Sequence, residues 1–185
     1  MKPLLLAGLF LMLSFSGMCQ DSTVLISKFE QLSSQSGQMI KIERRKIGWA
    51  ATIPVAKVKY TDLVTKSSRY AITLNYSNDA SILIAYPSLI YIDMDELDSI
   101  IVSLSTFLKE TNELKTPEGV RYSYITKSDI MVSCEFLSWT ENWRFYISKI
   151  YNVLRIPVAE STFQINKKRL PELITLLEQA KTMEW

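Results

Sequence analysis

Apolar positions open the chain as a single block. Leu4, Leu5, Leu6, Ala7, Gly8, Leu9, Phe10, Leu11, Met12, Leu13, Ser14 and Phe15 follow a positive start at Lys2, and no polar face interrupts them. A bilayer span needs about twenty residues, whereas this run has the length of a signal-peptide core. Small residues at Gly17 and Cys19 place a cleavage site after Cys19, which leaves Gln20 first. The alternative is a lipid anchor on Cys19, although Met18 stands where a lipobox wants a small residue. The pattern therefore predicts an exported bacterial protein, periplasmic or extracellular. Its mature part, residues 20–185, is expected to form one domain without a transmembrane segment.

After the block the pattern turns periodic. Leu25, Phe29 and Leu32 share a helical stripe, which predicts a short helix over 22–34. Alternation and β-branched or aromatic content then predict strands. They fall near 55–63, at Tyr70–Tyr76, at Ile82–Tyr86 and at Leu89–Ile92. Leu97, Ile100, Ile101, Leu104 and Leu108 predict a long helix over about 95–110. Strands return over 120–126, 130–137, 143–153 and 162–165, and a last helix is expected over about 168–182.

The second half echoes the first. A shift of 73 positions lays Tyr70, Ile72 and Leu74 over Trp143, Phe145 and Ile147, and Ile90 and Ile92 over Phe163 and Ile165. It also lays Leu97, Ile100, Ile101 and Leu104 over Leu170, Leu173, Ile174 and Leu177. Two tandem repeats, about 39–111 and 112–185, would each be strands followed by a helix, and neither would bury its apolar face alone. The expected fold is α+β: one curved antiparallel sheet with two long helices on one face, plus the short N-terminal helix. In layout alone this resembles the TATA-binding-protein superfold, which hosts many unrelated functions.

Composition narrows the chemistry. The chain has no His, which removes Ser-His-Asp and Cys-His catalysis and His-ligated zinc. Cleavage would leave Cys134 as the one cysteine, too few for a thiolate zinc cluster or an internal disulfide. Cys134 lies between Val132 and Phe136 on one strand face and reads as core. Net charge is +2, without the basic excess of a nucleic-acid binder. No cofactor is called for, and the expected partner is another envelope protein or a second copy.

Four clusters remain as candidates. Asp93, Asp95, Glu96 and Asp98 lack the central Gly of a calcium loop and read as caps for the first long helix. Lys167, Lys168 and Arg169 precede the last helix, the wrong sign for a helix N-terminus, and are read as an anion-binding candidate. Under the 73-residue shift, Lys168 and Arg169 overlay Asp95 and Glu96, so equivalent positions carry opposite charges. Lys41, Arg44, Arg45 and Lys46 alternate across a strand and read as edge protection. Tyr122, Tyr124, Trp143 and Tyr146 form an aromatic surface candidate for sugars or peptide, with strand packing as its plain alternative. The expected function is a non-enzymatic binding, scaffold or interaction module. The alternative is a carboxylate-dependent hydrolase of envelope or extracellular glycans.

Overall fold

Alternating apolar positions build two antiparallel meanders, each followed by a helix. The computed structural model describes residues 39–75, 89–114, 118–150 and 157–185, the last from 157 to 161 by backbone only, with Ser27, Lys28, Gln31 and Gly37. The apolar block 4–15, Cys19, the strand expected at 82–86 and most of the helix expected at 22–34 lie outside them. The first sheet runs in the order β1 (Ile40–Ala50), β2 (Ile53–Asp62), β3 (Ser68–Asn75), β4 (Leu89–Asp93). Helix α1 (Leu97–Glu113) follows. The second sheet runs β5 (Arg121–Ile125), β6 (Ile130–Leu137), β7 (Asn142–Ile150), β8 (Pro157–Asn166). A 3-10 turn over Lys167–Arg169 leads into α2 (Leu170–Thr182).

The single curved sheet expected from the sequence does not form: the strands divide into two four-stranded sheets. The helices differ too: α1 has 17 residues and α2 only 13, and they pack against each other but not on a common sheet. Helix α2 packs on β1 and β2 of the first sheet, while α1 meets β6 of the second. The strand edges explain the split. β4 and β5 have five residues each and are separated by the whole of α1. β1, the other edge of the first sheet, carries Lys41, Arg44, Arg45 and Lys46, and charge on an edge opposes pairing with a further strand.

One hydrophobic cluster joins the two sheets and both helices. Ile72, Leu74, Ile90 and Ile92 come from the first sheet, and Val132, Phe145, Ile147 and Phe163 from the second. Leu97, Ile100, Leu104 and Phe107 of α1 enter it at three- and four-residue spacing, as do Leu170, Leu173, Leu177 and Ala180 of α2. Gly48 on β1 lets α2 come close, since a Cβ there would stand 2.6 Å from Leu176 Cδ2.

The helix ends are tied across the halves. Lys181 near the end of α2 pairs with Asp98 at the start of α1, 2.7 Å away. Lys167, just before α2, donates to the Thr111 carbonyl in the last turn of α1 at 2.8 Å. Each cation thus stands at a negative helix end, where the macrodipole favours it. Glu96 is buried and accepts from both the backbone N–H (2.9 Å) and the hydroxyl (2.6 Å) of Ser128, in the β5–β6 turn. Residues 183–185 extend this cover over the first sheet. Lys57 donates to the Met183 carbonyl at 2.6 Å and Arg45 to that of Glu184 at 3.0 Å, and Trp185 packs against Tyr70.

Candidate binding site on the second sheet

Period-two alternation gives the second sheet two faces of opposite chemistry. Along β7, Trp143, Phe145 and Ile147 point into the core. Asn142, Arg144, Tyr146 and Ser148 therefore point outward. Strand register sets their neighbours. Arg144 lies opposite Glu135 and Asn166, and Glu135 lies opposite Arg121. The next row is Ser123, Ser133, Tyr146 and Gln164, and the row after it holds Met131, Ser148 and Thr162.

This outer face forms a shallow cleft lined by Arg121, Met131, Ser133, Glu135, Tyr146, Ser148 and Thr162. A second cleft lies towards the β6–β7 hairpin and is lined by Asn142, Trp143, Arg144, Asn166, Lys167 and Lys168. Burial, and then the nearby Glu135 carboxylate, push the Tyr146 phenol up to about 12.

Buried polar atoms without partners mark the face. Among the described residues there are four: Asn75 Oδ1, Ser133 Oγ, Arg144 Nε and Ser148 Oγ. Three of these four lie on this one face, on the adjacent strands β6 and β7. Ser133 and Ser148 are each only 1% exposed. An unsatisfied buried polar group costs about 1–3 kcal/mol. Three such groups on one face are a local conflict of the kind that binding sites carry. No family model matches the chain, and no curated protein matches it.

The residues singled out from the sequence are dispersed. Tyr122, Tyr124 and Trp143 face the core, where Tyr122 stacks on Phe107 with centroids 5.6 Å apart and lies 6.0 Å from Trp143. Tyr146 alone of that group faces outward. In the basic cluster, Lys167 is committed to Thr111, and burial holds its ammonium below the usual lysine range. Arg169 lies 3.5 Å from Glu172, and its backbone N–H is capped by Asn166 Oδ1. Lys168 is exposed and lines the second cleft.

The acidic residues do not cap α1 through their side chains, as the sequence suggested. The N-cap residue is Glu96, whose carboxylate is spent on Ser128. Asp93 accepts from the Lys28 backbone N–H at 2.8 Å, and Asp95 pairs with the Lys28 ammonium, which holds its carboxyl below the usual range. Cys134 is fully buried in the core, and its thiol is pushed up to about 12 by burial.

The sequence reading missed Ser133, Ser148, Arg144, Glu135 and Arg121. Their signal was the polar half of the alternation in β6 and β7. The aromatic half drew the eye because large side chains dominate strand patterns.

Proposed function

We propose that this protein is a non-enzymatic binding module of the bacterial envelope, and that its ligand surface is the outer face of the second sheet. One observation carries the reading: Ser133 Oγ, Ser148 Oγ and Arg144 Nε are buried, unpaired and on the same face. A ligand offering hydrogen-bond donors and acceptors would satisfy all three. Among the described side chains of the two clefts, Glu135 is the one carboxylate. Carboxylate-pair hydrolysis takes two, so on this face the arrangement favours binding over glycan cleavage. The apolar block at 4–15 supports export, with cleavage after Cys19. The 73-residue offset, together with the shared order of four strands and a helix, supports an origin by duplication.

An amide NMR titration with a set of small polar compounds tests the surface. Shift changes should gather on β5–β8 at Ser133, Arg144, Tyr146 and Ser148. Changes gathered on the first sheet instead would refute the assignment. Mass spectrometry of the mature chain tests the address: an N-terminus at Gln20 is expected, and a retained Met1 would contradict it.

A further inference from the structure

Arg144 of the second cleft stands opposite Glu135 of the first on the adjacent strand, so the two clefts are neighbours across the β6–β7 pair. Read along β7, the outer face passes from Asn142 to Arg144, Tyr146 and Ser148. At about 3.3 Å per residue, Arg144 and Ser148 stand roughly 13 Å apart. That span is too long for a single phosphate or carboxylate to reach both ends. Its two ends differ in chemistry. The hydroxyl end holds Ser133 and Ser148, unpaired and able to donate or accept, with Thr162 beside them. The cationic end holds Arg144, with one unpaired N–H, and the exposed Lys168, which line the second cleft together with Asn142 and Asn166. Arg121 adds a third cation across Glu135, so positive charge exceeds negative along the track. Trp139, 81% exposed, stands at the hairpin tip beyond Asn142.

From this arrangement we infer that the face binds an acidic oligosaccharide, with its anionic group at Arg144 and Lys168 and its hydroxyls on Ser133 and Ser148. The inference rests on the reading of this face as a ligand surface and names the ligand class. A peptide bound through its main chain would add to an open strand edge, where backbone groups are unpaired. Here the contacts offered are side chains on the face of β6 and β7, the two strands paired on both sides. Donors and acceptors mixed over about 13 Å suit a chain of hydroxyls. An exposed indole suits the apolar face of a sugar ring.

The test is an amide NMR titration of the mature chain with four probes: trigalacturonate, the neutral maltotriose, inorganic phosphate and an acidic heptapeptide. Trigalacturonate should shift the amides of Arg144, Tyr146 and Ser148, and bind at least tenfold more tightly than maltotriose or phosphate. Arg144→Gln and, independently, the exposed Lys168→Gln should each weaken it several-fold while leaving the rest of the spectrum unchanged. Ser148→Val should weaken trigalacturonate and maltotriose alike. Equal binding of trigalacturonate and phosphate would reduce the site to an anion site and overturn the saccharide. Peptide binding on these amides without saccharide binding would overturn the ligand class and leave the surface standing. No response on β5–β8 to any of the four probes would overturn the ligand class, and the wider set of polar compounds then decides the surface itself.

Discussion

The outer faces of the two sheets make opposite use of the same architecture. On the first sheet, Val58, Tyr60 and Ala71 are buried in a second apolar cluster with Ile40 and Tyr91 against them. On the second, the corresponding side of the strands carries Ser133, Glu135, Arg144, Tyr146 and Ser148. Both sheets give their inner faces to the common core, so packing constrains those positions alike. The outer faces are free to differ. One has been given to apolar burial, and the other holds polar groups at a cost to stability. A fold can carry that cost when the rest of the sheet is held by its core and by ties such as Glu96 to Ser128.

The largest effect should come from the apolar side of the comparison. Tyr60→Ala empties a position that is 4% exposed and should destabilise the protein by about 3 kcal/mol, read from urea unfolding. A loss below about 1 kcal/mol would mean that this outer face contributes little packing. Glu96→Ala should cost about 2 kcal/mol, because it leaves the buried Ser128 N–H and hydroxyl without acceptors. Hydrogen exchange should then speed up first in the β5–β6 turn. Uniform acceleration across both sheets would contradict a local tie.

The smallest effect is a pH dependence. The Tyr146 phenol lies at about 12 in the fold against 10.0 for a free phenol, so the folded state holds the proton more tightly. Its contribution is fully present below pH 10 and is lost as pH rises from 10 towards 12. Tyr146→Phe should therefore make the fall in stability over that window shallower than in the parent. An identical slope would mean that neither burial nor Glu135 holds the Tyr146 proton in the fold.

The strand and helix segments were largely legible along the chain. Apolar residues at every second position in β3 and β7, and at three- and four-residue spacing in α1 and α2, point where the structure buries them. Sheet membership was not legible. Alternation shows which side of a strand is buried but not which strands pair, and nothing local to Leu170–Thr182 says that α2 should cross to β1. The acidic cluster was misread for a related reason. Caps are local, whereas the partners of Glu96 and Asp98 lie 32 and 83 positions away, at Ser128 and Lys181. The candidate site was half visible. The polar alternation of Asn142, Arg144, Tyr146 and Ser148 stands in the sequence, but the lack of partners for buried hydroxyls is a fact of packing.

The claim that the second sheet holds unpaired polar groups for a ligand is tested most directly by urea unfolding of the Ser133→Ala, Ser148→Ala double variant. If the hydroxyls are unpaired, removing them relieves a burial cost, so stability should stay level or rise by about 1–2 kcal/mol with an unchanged denaturant slope. A fall of more than about 1 kcal/mol would show that the hydroxyls already bond within the fold, and the outer face would then be ordinary packing.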